Sequence, residues 1–324
     1  MKTGFLFHLI KYNSKMYFNN RICLTHDSEG KLVDENNVIL FEGEKYYVLP
    51  LNSSYLLSKG GNSSVYRLTD NKSTEYAIKF SNYPRPNKKG DKSKGYSRFI
   101  YEISALKLAA ENEFQNVIKF ISEDSIQLEG KEYPYIIMEK ADTDLKEYLL
   151  NDPAIDIQQK FLLCKDIFKA IKDLHSLYIY HRDIKPDNIL LFIAENKFSW
   201  KIADLGLAKH RDMDFDDIGE KVGPFGWFSP EAMNKFLTEK SNLGLDCIID
   251  EHSDIFMLGE LFWFVFKLNI PLGQIKIEDF NIDFPESKTY FELVQSMLSH
   301  SKKDRITLDG IEFFLDNIGK ELFV

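Results

Sequence analysis

The sequence predicts an α+β protein of two lobes, a small β-rich lobe first and a larger helical lobe second, with a ligand cleft between them. Three observations predict this. Short runs rich in β-branched and aromatic residues, divided by turn residues, fill roughly the first quarter of the chain. Helical periods dominate from Asp144 onward. The length of 324 residues, with 44% hydrophobic and 28% charged residues, suits one large domain or two coupled lobes.

The elements follow in order. Residues 1–52 read as a short β-rich extension, with hairpins around Asn19-Asn20 and around residues 42–45. Residues 56–69 and 75–80 read as strands around turn residues. A polar, basic loop covers 84–95, and a helix covers 98–110 with Ile103, Leu106 and Ala110 on one face. Residues 135–138 form a short apolar strand. The main domain then covers 53–324, its first lobe about 53–138 and its second about 142–324.

Bulk properties exclude several classes. A formal net charge of −9 argues against generic nucleic-acid affinity. Three cysteines, Cys23, Cys164 and Cys247, show no paired spacing, which argues against a disulfide framework or a zinc site and fits a reducing, cytoplasmic setting. The apolar stretch 4–10 is short, carries His8 and has no cleavage signal after it. The stretch 255–268 is too short to span a bilayer and contains Glu260, so it reads as a buried helix. Composition leaves oligomeric state open.

The chemistry concentrates in His181-Arg182-Asp183-Ile184-Lys185-Pro186-Asp187-Asn188, placed between a helical pattern and an apolar strand. A carboxylate followed five positions later by an amide suits one task. Asp183 can accept the proton of an incoming hydroxyl, and Asn188 can ligate magnesium on phosphates. Asp204-Leu205-Gly206 follows 21 residues after Asp183, where Asp204 can hold a metal that bridges phosphates. Lys79, in the strand-like Ala77-Ile78-Lys79, can reach two phosphate oxygens. Glu102 lies 23 residues on, upon the next helix, as its expected ion-pair partner.

With these motifs the sequence resembles the eukaryotic-type (Hanks-type) protein kinases, serine/threonine-like, over roughly residues 53–324. The resemblance implies the two-lobed kinase fold, with ATP in the cleft, magnesium (or manganese) as the metal and a protein substrate. Residues 58–65 stand where the family has its glycine-rich loop, which would bring Ser58, Gly60, Gly61, Ser63 and Val65 to the nucleotide. It implies that Ala77 and Leu190 sandwich the adenine with Val65. Met138 would precede the adenine-binding backbone of Glu139 and Ala141, and Asp144 would contact the ribose. Lys185 would assist Asp183 as serine/threonine kinases have it. Ser229-Pro230-Glu231 matches the motif that closes the activation segment, and Glu231 would pair with Arg305.

Two positions depart from the family pattern. Serine replaces the outer two loop glycines at 58 and 63, which makes the loop stiffer. Pro224 stands where a threonine would brace the catalytic loop. A binding scaffold without chemistry would be expected to lose one of Lys79, Glu102, Asp183, Asn188 and Asp204, yet all five are present. A small-molecule kinase of related fold would lack the Ser-Pro-Glu motif. Residues 207–228 contain no serine, threonine or tyrosine, so control by phosphorylation of this segment is not expected. Among its acids, Asp217 or Glu220 is the expected stand-in for a phosphate on Arg182.

Overall fold

The computed structural model describes residues 38–41, 44–48, 56–59, 63–70, 72, 74–86, 93–128, 131–151, 155–195, 197–213 and 215–323. The hairpin expected around Asn19-Asn20, and Gly60 and Gly61, lie outside these residues. The chain divides into two compact units, residues 1–110 with 119–141 and residues 111–118 with 142–324.

Among the described residues the first unit is an antiparallel sheet with one helix. Its strands are β1 (Val38–Phe41), β2 (Glu44–Val48), β3 (Leu56–Lys59), β4 (Ser63–Thr69), β5 (Glu75–Ser81), β6 (Phe120–Leu128) and β7 (Lys131–Glu139). The order is β1-β2-β4-β5-β7-β6, and β3 also pairs with β4. β1 and β2 therefore extend the same sheet, through Tyr47 opposite Thr69 and Val48 opposite Leu68. Leu68, Ile78, Phe80, Tyr135 and Ile136 are buried, the apolar content that keeps β4, β5 and β7 in register. β6 was not expected from the sequence, because its run Phe-Ile-Ser-Glu-Asp-Ser is largely polar. Helix α1 (Lys94–Glu111) starts earlier than position 98, because Ser93 Oγ accepts the Tyr96 N–H at 3.3 Å. Its buried face carries Phe99, Glu102, Ile103, Leu106 and Ala109; Ala110, expected there, is exposed.

The second unit is mainly helical. After β8 (Thr143–Asp144) come α2 (Leu145–Asn151), α3 (Ile157–Ser176) and β9 (Ile179–Tyr180). The hairpin β10 (Ile189–Ala194) and β11 (Lys197–Ile202) follows, then β12 (Lys209–His210), which pairs with β9. The last elements are α4 (Pro230–Thr238), α5 (Glu251–Lys267), α6 (Ile277–Phe280), α7 (Ser287–Met297) and α8 (Leu308–Leu322).

In α3, Phe161, Cys164, Ile167, Phe168, Ile171 and Leu174 repeat at helical spacing and are buried, and Asp156 caps the first turn. Helix α5 is buried on nearly all sides, the mark of a central helix, and Asp250 with Ser253 closes a capping box at its start. Gly259 lets α7 approach closely, since a Cβ there would lie 2.8 Å from Met297 Cβ. Through Asp254 this central helix also holds the backbone of the loop that follows β9. No helix among the described residues is long and apolar enough to cross a membrane.

Candidate active site

In the first unit, β5 places Lys79 between Val65 on β4 and Ile136 on β7. Its Nζ lies 2.5 Å from Glu102 Oε1 on α1, and both side chains are almost wholly buried. The expected pair thus exists. A buried ammonium needs such a partner, because an unpaired charge there would cost several kcal/mol. Ala77 is buried opposite Met138, Val65 is half-buried, and Ser63 is buried opposite Ser81. Ser58 lies in β3 opposite Val65. The Glu139 N–H donates to the Lys119 carbonyl at 3.2 Å, and its carboxylate accepts the Lys119 N–H at 2.6 Å. Ala141 follows at the end of this unit.

In the second unit, the loop between β9 and β10 is held from beneath. Asp254, on the first turn of α5, accepts the backbone N–H of His181 at 2.7 Å and of Arg182 at 2.8 Å. It also bonds His175 Nε2 at 2.9 Å. Burial keeps His181 neutral. Its Nδ1 accepts the Asp183 N–H at 3.2 Å and its Nε2 bonds the Ala203 carbonyl at 3.1 Å. This clamp holds Arg182 in the left-handed region at φ 67°, strained for a non-glycine residue.

Asp183 is therefore rigidly placed. Lys185 Nζ donates to its two carboxylate oxygens at 3.1 and 2.9 Å. Asn188 Nδ2 donates to Asp183 Oδ2 and to its carbonyl, each at 2.8 Å. Burial pushes the Asp183 carboxyl up, and the Lys185 charge offsets part of that rise. The Asn188 carbonyl accepts the Ala203 N–H at 2.9 Å, which ties the loop to Asp204. Asp204 itself is exposed and left-handed, with Gly206 N–H at 3.3 Å from its carboxylate. With Nδ2 of Asn188 engaged, its Oδ1 and the Asp204 carboxylate are two hard oxygen donors, the type that suits magnesium. Leu190 pairs with Asp144 across β8 and β10. Asp144 caps α2 through the Glu147 N–H at 2.8 Å, and burial pushes its carboxyl up.

The activation segment corrects one expectation. Asp216, not Asp217 or Glu220, meets Arg182, with Oδ2 2.5 Å from Nη2 and both side chains buried. Glu220 instead turns back to accept the Asp217 N–H at 2.9 Å. Neighbouring acids look alike in sequence, and only the path of the chain decides which one faces inward. Glu231 pairs with Arg305 at 2.9 Å and accepts Ser253 Oγ at 3.1 Å, both buried, which anchors the end of the segment to α5. The backbone role of Asp254 was also missed, since an acid at a helix start reads simply as a cap.

Comparison with known proteins agrees with this geometry. A family model described as protein kinase domain matches residues 52–313. The L-type lectin-domain containing receptor kinase V.5 of Arabidopsis thaliana is 31% identical over 187 residues, 55% of this chain and 26% of that protein. The serine/threonine-protein kinase cds1 of Schizosaccharomyces pombe is 32% identical over 140 residues, 43% of this chain and 29% of that protein. The dual specificity protein kinase Ttk of Danio rerio is 23% identical over 287 residues, 84% of this chain and 27% of that protein. The chain thus spans under a third of the length of these relatives. A buried lysine–glutamate pair, a clamped catalytic loop and a family match over most of its length together mean that the chain belongs to the protein kinase family.

Proposed function

We propose that this chain transfers the γ-phosphate of ATP, with magnesium, to serine or threonine hydroxyls of a protein substrate. The observation that carries the reading is Asp183, buried, oriented by Lys185 and Asn188, and raised in proton affinity by its surroundings. In this reading residues 53–324 form the catalytic region and 1–52 an extension. The free thiols of Cys164 and Cys247 support a cytoplasmic setting.

The residues divide the work. Lys79, held by Glu102, binds phosphate oxygens. Val65, Ala77 and Leu190 offer apolar surface to adenine. Backbone groups of Glu139 and Ala141 bind the adenine. Ser58, Gly60, Gly61 and Ser63 belong to the loop over the phosphates, and Asp144 reaches the ribose. Asn188 and Asp204 hold the metal, which neutralises phosphate charge when bound. Asp183 orients the acceptor hydroxyl. As the acceptor oxygen bonds to the γ-phosphorus, the bond from that phosphorus to the bridging oxygen breaks and ADP leaves. The hydroxyl proton passes to the Asp183 carboxylate. Lys185 stays on that carboxylate and steadies it.

We infer further that activity does not need phosphorylation of the activation segment. The Arg182–Asp216 pair already supplies the contact that a phosphate would make. The experiment is purified protein with labelled ATP and magnesium, offered serine, threonine and tyrosine peptides. Label on serine or threonine supports the reading. Label on tyrosine alone contradicts the acceptor assignment, and no label on any acceptor contradicts the activity.

A further inference from the structure

The turn that begins at Asp216 points its apolar side chain outward. Asp216 meets Arg182, and three residues later Gly219 takes φ +69°. The Glu220 N–H closes the turn on the Asp217 carbonyl at 3.0 Å. Ile218, the large apolar residue within it, is 70% exposed, so polar contacts rather than packing must hold this stretch. One such contact comes from beyond the segment. The Gly219 N–H donates to Glu239 Oε2 at 2.5 Å. Lys235, one helical turn before Glu239, donates to both oxygens of that carboxylate, at 3.0 and 2.9 Å. Lys235 is 7% exposed, so its charge is taken from water and needs the carboxylate. The Lys240 side chain lies over the turn, since a Cβ on Gly219 would sit 2.7 Å from its Cε.

Glu239 follows directly on the last residue of α4, the end of a helix at which the dipole disfavours an acid. Lys235 and the Gly219 N–H offset that cost, and both lie on the side that reaches the turn. The helix beneath is itself fixed, because Glu231 in its first turn pairs with Arg305. The contacts thus form a path to the catalytic loop. Lys235 orients Glu239, Glu239 fixes Gly219, and the three-residue step back to Asp216 sets that carboxylate against Arg182, the residue before Asp183. A shift of about 1 Å at a reacting group costs about a hundredfold in rate, so a distant anchor of this kind matters to the chemistry.

We propose that Glu239, oriented by Lys235, is a positioning residue for phosphoryl transfer. It holds the turn at 216–220 so that Asp216 keeps Arg182, and with it Asp183, in the reactive arrangement. This rests on the kinase reading of Asp183, and it gives the segment a second anchor beside the Arg182–Asp216 pair.

The test is steady-state transfer to a serine or threonine peptide by the full chain, with melting temperature and hydrogen exchange over residues 216–220. The variants are Glu239→Ala, Glu239→Gln and the double variant Lys235→Met with Glu239→Ala. The double variant removes both charges, so no buried ammonium is stranded. Glu239→Ala and the double variant should lower kcat by about tenfold or more while KM for ATP stays within about twofold, because Glu239 acts on the loop that carries Asp183 and not on Lys79. Glu239→Gln, whose amide oxygen still accepts the Gly219 N–H, should recover kcat to within about threefold of wild type. Exchange at 216–220 should quicken in the double variant at an unchanged melting temperature. Wild-type kcat in the double variant overturns the proposal and leaves the kinase reading intact. So does a loss that Glu239→Gln shares in full, or one matched by an equal rise in KM for ATP. A kcat loss confined to variants that melt below the assay temperature overturns it too, since Glu239 is then a stability contact alone. Absence of turnover in the wild type overturns the kinase reading and the proposal with it.

Discussion

Glu260 lies on α5 among apolar neighbours, 5% exposed, and its Oε2 has no hydrogen-bond partner among the described residues. Burial pushes its carboxyl up from 4.5 to about 9, so the folded protein holds it neutral at pH 7. Between those two values the folded state binds the proton and the unfolded state does not. Stability must therefore fall as pH rises through that window, by up to about 1.4 kcal/mol per pH unit. Glu260→Gln keeps the neutral shape without the titration. It should melt higher than wild type at pH 8 and much the same as wild type at pH 4.5. Parallel melting profiles across that range would show that Glu260 is solvated. Lys79 and Glu102 are the opposite case, two buried charges that need each other. In the proposed mechanism Lys79 sets phosphate geometry as well as affinity, so Lys79→Met should cut turnover by about a hundredfold or more even at saturating ATP. Undiminished kcat in that variant would remove Lys79 from the mechanism.

At the scale of elements, a carboxylate meets Arg182 in the segment that precedes α4. Asp216 and Arg182 are both buried, so deleting one charge strands the other at a cost of about 3–5 kcal/mol. Asp216→Asn should lower kcat and loosen residues 209–222 to hydrogen exchange, whereas Asp217→Asn and Glu220→Gln should change kcat less than about twofold. Phosphatase treatment of the wild type should change nothing. Full activity in Asp216→Asn, or a need for prior phosphorylation, would contradict this. The same segment shows where sequence stops being legible. The absence of hydroxyls and the need for an acid on Arg182 are readable, because they depend on residue type and spacing. Which of the neighbouring acids turns inward depends on the chain path that β12 and the Glu231–Arg305 anchor impose. Likewise the spacing of Lys79 and Glu102 fixes their pairing, but the swap of Ala109 for Ala110 on the buried face of α1 follows from a helix phase that only packing sets. β6 escaped because its polar residues hide a strand defined by pairing with β7.

For the whole molecule, the family match begins at residue 52, but the sheet does not. β1 and β2 lie before that boundary and cover an edge of β4 beside buried Leu68. A chain that starts at residue 52 should therefore melt several degrees lower and aggregate more readily, since an uncovered strand edge invites pairing between molecules. An unchanged melting temperature would make the extension independent of the domain. The central claim is that Asp183 handles the acceptor proton while Asp204 holds the metal on the nucleotide, and one paired measurement tests it most directly. Mg·ATP affinity and phosphoryl-transfer rate are measured together on wild type, Asp183→Asn and Asp204→Asn. The account predicts that both variants lose transfer by at least about a hundredfold, that Asp183→Asn binds Mg·ATP within about threefold of wild type, and that Asp204→Asn binds it clearly more weakly. Wild-type turnover in either variant, or weak nucleotide binding in Asp183→Asn with normal binding in Asp204→Asn, would contradict it.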